Sequence, residues 1–195
     1  MNKLTFTVAI CTYNRVNILK RCLSSLAKAD SAGTTFEILV IDNNSTDCTK
    51  EISTTFAARF LHFRYYFEQQ QGLSYARNAA YQLAKGEWLV YLDDDAKVFE
   101  DFFLQLQLAL SNFPFPCFGG WYSEYYLHER PKWLPIGFGT MTLPRPDSGE
   151  LKTEIIHGGI MIIKKSLLEE LNGFDTKLGM KGKYIGYAEE EEIQV

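Results

Sequence analysis

A chain of 195 residues, 46% hydrophobic and 23% charged, is long enough to bury one sizeable core and is ordinary in composition for a globular domain. Its formal net charge of −4 excludes a general nucleic-acid binder, which needs a basic face, while a local cation or bound metal still admits an anionic substrate. The four cysteines, Cys11, Cys22, Cys48 and Cys117, show no CxxC or metal-ligand spacing, so neither a disulfide framework nor a zinc site is expected and a reducing cytoplasm suits the chain.

The apolar stretch after Met1-Asn2-Lys3 is short and alternates with threonine, which reads as a strand and not as a signal peptide. Nowhere does the chain approach the roughly 20 apolar residues of a membrane span. Thr5 to Cys11 sets Phe6, Val8 and Ile10 on one face at period two, a first strand. Ile18, Leu19, Cys22, Leu23 and Leu26 then recur at helical spacing, with Asn14 or Asn17 as the cap. Phe36 to Ile41, interrupted only by Glu37, predicts a strand buried on both faces. The turn and cap formers of 42–47 open a second helix through about Ala58. Leu61 to Phe67 reads as a third strand, with His62 inside it. Ser74 is expected to cap a helix running to about Lys85, which Gly86 would end. Trp88 to Leu92 is a fourth strand, and Phe102, Phe103, Leu106, Ala109, Leu110 and Phe113 mark an amphipathic helix.

Strands alternating with helices in this way predict an α/β fold: a Rossmann-like, mostly parallel sheet with right-handed crossovers and helices on both faces. Beyond residue 113 the pattern is less regular and rich in aromatic residues and proline. A strand follows over Ile160 to Ile163, then a helix over Ser166 to Leu171 that ends at Asn172-Gly173. With no repeat, linker or low-complexity stretch, residues 1–195 read as one domain, with halves at about 1–112 and 113–195. The chain stops at Ile193-Gln194-Val195, directly after Glu189–Glu192, which reads as a cut inside a longer protein.

Ligands of open parallel sheets bind beyond the carboxyl ends of the strands. The predicted strands put three polar clusters there: Thr12-Tyr13-Asn14-Arg15, Asp42-Asn43-Asn44 and Asp93-Asp94-Asp95. Adjacent carboxylates at about 4 Å repel by roughly 1 kcal/mol in water and by more in a cleft. A hard divalent cation relieves that repulsion, and Mg²⁺ commonly takes one or two carboxylates plus substrate phosphates. A solvated acidic turn is the other reading of these aspartates. Asp42 either accepts hydrogen bonds from a nucleobase or ribose or closes its own Asx-turn. Tyr13 either stacks on a base or packs, and Arg77 either meets phosphate near a helix N-terminus or forms a surface ion pair. Rival chemistry lacks its motifs: there is no GxGxxG after a strand, no GxxxxGK[ST] and no GxSxG.

Together these residues resemble the family 2 glycosyltransferases of GT-A fold. The resemblance rests on residues 8–15 (VAICTYNR), 40–47 (VIDNNSTD), 71–78 (QGLSYARN), 92–96 (LDDDA), 158–163 (GGIMII) and 171–175 (LNGFD), in that order. It implies an inverting transfer of a sugar from a nucleoside diphosphate sugar, a UDP-sugar being favoured, to a hydroxyl of a glycan or lipid-linked acceptor. It also implies a Mn²⁺ or Mg²⁺ cofactor. By position, Thr12, Tyr13, Arg15, Asp42, Asn44 and Arg77 would contact the donor nucleotide, Asp93 and Asp94 the ribose and sugar, and Asp95, with Asp93, the metal. The base that deprotonates the acceptor would come from the acidic run, at Glu190, where the family usually has Asp, or at a neighbour, Glu189 or Glu191. His157, Gly158 and Trp133 fall on the acceptor side, where Trp121, Tyr122 and Trp133 either stack on a sugar ring or belong to the core. The family's usual setting is bacterial surface glycan and polysaccharide synthesis, in the cytoplasm or at the inner face of the membrane with peripheral contact. The alternatives are a nucleotide-sugar-binding fragment without turnover and, further off, a nucleotidyltransferase.

Overall fold

Successive strand residues face opposite sides of a sheet, so a strand apolar at every position must be covered on both sides. That is the arrangement found in the computed structural model, which describes residues 4–120, 122–135, 156, 159–182 and 184–192. Within them, strands β1 (Phe6–Thr12), β2 (Phe36–Asp42), β3 (Phe63–Phe67), β4 (Trp88–Leu92), β5 (Cys117–Gly119) and β6 (Ile160–Lys164) form one sheet in the order β3-β2-β1-β4-β6-β5. The pairs β1–β2, β1–β4 and β2–β3 are parallel, whereas β6 runs antiparallel to both β4 and β5. The mostly parallel sheet is therefore as expected. The short β5 and the antiparallel direction of β6 were not part of that expectation.

Phe6, Val8 and Ile10 of β1, Ile38 and Val40 of β2 and Val90 of β4 point to one side. There they meet α1 (Val16–Leu26), α2 (Thr49–Phe56) and α4 (Phe102–Asn112). Ala9, Leu39, Ile41, Leu89 and Tyr91 point to the other side, against α3 (Leu73–Leu83) and α5 (Lys165–Glu170). The α3 face is nearly all alanine, Ala76, Ala79 and Ala80, which lets that helix lie close on the sheet. Glu37, the one charge in the apolar run of β2, is 1% exposed and fully used. It accepts from Thr7 Oγ1 (2.7 Å), Lys85 N (2.8 Å) and Arg64 Nη1 (3.2 Å), closing the edge of the sheet opposite the polar loops. Among the described residues no helix is long and apolar enough to cross a membrane.

Several boundaries differ from expectation, each for a local reason. The second helix ends at Phe56 and tightens into a 3-10 turn over Ala57–Arg59. Strand β3 begins at Phe63, so Leu61 and His62 are exposed residues ahead of the strand. Neither Asn14 nor Asn17 caps α1. Asp47, from the loop after β2, accepts the Val16 N–H at 3.1 Å and takes that role across space. Ser74 likewise does not cap α3; its hydroxyl donates to the Leu178 carbonyl at 2.9 Å.

Gly86 does not end α3 through a left-handed conformation. The helix ends at Ala84, which turns extended, and Gly86 lies flat on β1, where its N–H donates to Thr7 Oγ1 at 2.9 Å. A Cβ there would collide with the Phe6 and Thr7 backbone. Gly86→Ala is expected to cost about 2 kcal/mol or more, because backbone cannot move aside as a side chain can. Urea denaturation checks this, and an unchanged midpoint would show that the contact yields.

Candidate functional site

Because β1, β2 and β4 run in the same direction, their carboxyl ends open onto one edge of the sheet. Thr12 and Asp42 are direct partners across the β1–β2 pair, and the Asn43 N–H donates to the Thr12 carbonyl at 2.8 Å. The two loops are stitched further by Asn14. Its Oδ1 accepts from Thr46 N at 2.7 Å, and its own N–H donates to Ser45 Oγ at 2.9 Å, with Asn14 itself at φ 52°. Asn43 reaches the other way: its Nδ2 donates to the Gln70 carbonyl at 2.7 Å and its Oδ1 accepts from Gly72 N at 2.8 Å. This residue, read from sequence only as part of a turn cluster, fixes the loop ahead of α3.

The aspartates of the third cluster differ in environment. Asp94 is 3% exposed and held from both sides, by Thr12 Oγ1 at 2.6 Å and Arg15 Nη1 at 2.7 Å. Burial still lifts its carboxyl above the usual carboxylate range, against the opposing pull of Thr12 and Arg15. Asp95 is about half exposed and shares Arg15 through Nη2 at 2.8 Å. Asp93 carries the largest shift of the three. Burial, with Asp95, Asp94 and Glu190 adding repulsion against the pull of Arg77, pushes its carboxyl up to about 7. Three carboxylates are thus crowded around two guanidinium groups, one of which is largely committed elsewhere.

That second guanidinium is Arg77 on α3, 2% exposed. It donates from Nη1 to Glu189 Oε1 at 3.1 Å and from Nη2 to Glu190 Oε1 at 2.6 Å, on the short helix α6 (Glu189–Glu192). Tyr91 and Phe174 lie edge to face 5.5 Å apart, and the guanidinium sits 6.0 Å and 5.5 Å from their ring centres. Burial raises the Glu189 carboxyl even with Arg77 beside it. The segment leading to α6 is pinned on α3: Asn78 pairs with the Phe174 backbone in both directions (2.8 and 2.9 Å), and Leu73 N donates to the Met180 carbonyl at 2.8 Å. Gly179 and Gly186 cross so tightly that a Cβ on Gly186 would overlap the Gly179 carbonyl. Tyr91, Asn78 and Phe174, which support this ion pair, enter the sequence reading only as a strand residue and as members of two family stretches, without this role. The only hint was the Asn-Gly-Phe-Asp turn, whose partner lies far along the chain.

The remaining expected residues sit as follows. Asp42 is buried, with Oδ1 accepting from Ser45 N (2.9 Å) and Oδ2 from Tyr65 OH (2.7 Å), so its side chain closes the loop three residues on instead of forming an Asx-turn. Asn44 supplies a left-handed turn at φ 67°, and Tyr13 is on the surface at the mouth of the edge. Trp133 is 81% exposed on a turn, packed in neither core cluster. His157 and Gly158, like Trp121, lie outside the described residues. Among the described residues no group of three or more His, Cys, Asp or Glu side chains could hold a metal ion by itself.

Comparison with known proteins bears on this edge. The profile described as "Glycosyl transferase family 2" matches residues 7–172. A validoxylamine A glucosyltransferase from Streptomyces hygroscopicus is 37% identical over 89 residues, 45% of this chain and 21% of that protein. A mannosyltransferase from Pyrobaculum calidifontis, solved with GDP-Man and Mn²⁺, superposes with a TM-score of 0.69 at 23% identity, covering 99% of this chain and 51% of the other. TarS of S. aureus, solved with UDP-GlcNAc, gives a TM-score of 0.66 at 19% identity over 90% of this chain and 50% of the other. The chain thus spans about half the length of these structures. At these identities, the structural likeness speaks for the GT-A fold alone.

The raised Asp93 carboxyl has a consequence for stability. A folded-state value of about 7 against an ordinary 3.8 means the folded chain binds more protons than the unfolded one between those limits. This group's contribution therefore falls as pH rises from about 4 to about 7. In EDTA-treated protein, Asp93→Asn is expected to be more stable than wild type at pH 8, with the difference closing towards pH 4. Urea melts at both pH values measure it, and a pH-independent difference would contradict the burial of the charge.

Proposed function

The chain belongs to glycosyl transferase family 2, and on that premise we propose that it carries the donor site of an inverting, metal-dependent glycosyltransferase. The observation that carries this reading is the meeting of Thr12, Arg15, Asp42 and Asp93–Asp95 on the carboxyl edge of the parallel sheet. In that role residues 1–112 hold the nucleotide, and residues 113–195 face the acceptor. Tyr13 and Asn44 flank the base, Asp42 fixes the turn beneath it, and Arg15 orients Asp94 and Asp95 towards ribose and diphosphate. The donor is a nucleoside diphosphate sugar, with UDP- and GDP-sugars the first candidates given the ligands of the two solved relatives.

The residues fit a divalent cation. Burial, with repulsion from the neighbouring carboxylates, pushes Asp93 up to about 7, and Asp95 is about half exposed beside it, with Arg15 on one oxygen. Both offer hard oxygen ligands of the kind Mn²⁺ and Mg²⁺ take together with phosphate oxygens. Bound there, the ion would neutralise the departing nucleoside diphosphate.

The protein's own part is positional and acid–base. The acceptor oxygen attacks the anomeric carbon, the bond to the diphosphate oxygen breaks with inversion, and the hydroxyl proton passes to a carboxylate of α6. Glu190 takes that role and Glu189 stands behind it, because Arg77 grips both and fixes the angle of Glu190. The buried Arg77 is thus assigned to orienting the base rather than to touching phosphate. On the acceptor side, Trp133 is exposed and available to a sugar ring, and His157 and Gly158 are assigned there by sequence position. The setting that suits such a chain is surface-glycan assembly at the cytoplasmic face of the membrane. A fragment that binds donor without turning it over is the second reading, favoured by the chain spanning about half of its solved relatives.

Calorimetric titration of UDP and GDP, with Mn²⁺ and again with EDTA, checks the donor site. One nucleotide is expected to bind only with metal, and Asp95→Ala should abolish that binding; nucleotide binding indifferent to the substitution would remove the metal assignment. In a longer form of the protein, Glu190→Gln should leave donor affinity intact and lower transfer by on the order of 100-fold. Turnover at the wild-type rate would move the base elsewhere.

A further inference from the structure

Helix α1 turns its apolar side to the core and leaves Asn17, Lys20, Arg21 and Ser24 outward, with the buried Ser25 beneath them and Lys28 just past the helix end. This spacing is that of one helical face. This stripe borders an open groove of about 710 Å³, with Lys97 and the segment Tyr125-Tyr126-Leu127 standing opposite it. The two serines leave room along the floor, their hydroxyls donating to the Lys20 and Cys22 carbonyls. Cations stand towards both ends of the stripe, and two tyrosines form the far wall. From Asn17 to Lys28 the floor runs on the order of 16 Å at the helical rise of about 1.5 Å per residue.

The charge of this groove is one-sided. Lys20, Arg21, Lys28 and Lys97 line it and no carboxylate does, on a chain whose net charge is −4. Among the described residues none of the four cations makes an ion pair; the arginines that do, Arg15, Arg64 and Arg77, lie elsewhere. The groove also joins the candidate donor site directly, since the Tyr125 hydroxyl donates to the Asp95 carbonyl at 2.8 Å. One end therefore abuts the loop that holds the aspartates, and the other leads away along α1.

We propose that this groove binds an anionic glycan, a sugar chain bearing phosphate or carboxylate groups, and leads it to the donor edge. Cations spaced along the floor match charges repeated along a chain better than a single anion. Tyrosine side walls suit sugar rings, whose C–H faces pack on aromatic planes. A membrane surface is the rival occupant of these exposed cations, and vesicle binding is one outcome of the test. That the glycan serves as acceptor rests on the donor-site reading above; that the groove binds it does not.

The test uses tetragalacturonate and a glycerol-phosphate tetramer, with maltotetraose as the neutral match, titrated calorimetrically into the chain, and UDP and GDP, each with Mn²⁺, titrated in parallel. At least one anionic tetramer is expected to bind, at least tenfold more tightly than maltotetraose and more weakly as salt is raised. The double substitution Lys20→Glu, Lys28→Glu reverses charge on an exposed face without touching the core. It should weaken that binding at least tenfold and leave nucleotide binding as it was, and Lys20→Gln, Lys28→Gln should fall between. Failure of both anionic tetramers, equal binding of the neutral one, indifference to the double substitution, or binding only to vesicles containing phosphatidylglycerol would each overturn the proposal. If neither UDP nor GDP binds while the tetramer binding behaves as stated, the donor reading falls and the groove stands.

Discussion

The chemistry of this chain depends on β1 lying between β2 and β4 with all three running the same way. Parallel pairing forces each return through a helix, so every carboxyl end is left on one edge with a loop attached. Thr12, Asp42 and Asp93 are then neighbours although long stretches of sequence separate them. A reversed neighbour would carry its loop to the opposite edge, as β6 does: it pairs antiparallel with β4, and its first residue, Ile160, lies against the Leu92 end. The carboxyl edge thus receives an incoming chain from the second half of the sequence, as well as outgoing chains from the first.

Electrostatics shapes that edge more than apolar packing does. Asp93, Asp94, Asp95, Glu189 and Glu190 converge where Arg15 and Arg77 are the principal cations. Arg15 is divided between Asp94 and Asp95, and Arg77 between Glu189 and Glu190. Asp93 has only the distant pull of Arg77 and is displaced furthest, to about 7. An edge short of positive charge suits a ligand that arrives with a metal. The basic face of α1 stands apart from it, and the Tyr125–Asp95 hydrogen bond joins the two regions. Opposite charge is therefore sorted along the surface: carboxylates at the carboxyl edge of the sheet and cations along the groove beside α1.

Much of the architecture is legible in the sequence because its signals are local. Trp88–Leu92 is apolar at every position, and the strand was bounded to the residue. Phe6, Val8 and Ile10 alternate with residues that face the second core cluster. Where the partner is distant, local reading fails. The cap of α1 is Asp47, not a nearby asparagine, because its loop is brought alongside by the β1–β2 pairing. Ser74 serves Leu178 and Arg77 serves Glu189 and Glu190, contacts spanning more than 100 residues that no periodicity predicts. Gly86 was rightly marked as exceptional but for the wrong reason, since a close backbone approach leaves no trace in a single sequence. The sorting of cations onto one face of α1 was present in the spacing of Lys20, Arg21 and Lys28, yet a charged helix face has no meaning until Lys97 and Tyr125–Leu127 are seen to stand opposite it.

The central claim is that one nucleotide and one metal meet at the edge formed by β1, β2 and β4. Crystals grown with UDP or GDP and Mn²⁺, measured near the manganese absorption edge, test it directly. The account predicts an anomalous peak within about 2.3 Å of a carboxylate oxygen of Asp95 or Asp93, with diphosphate density beside it and the base over the Thr12–Asp42 loops. A nucleotide bound away from that edge, or a manganese peak touching neither aspartate, would contradict it.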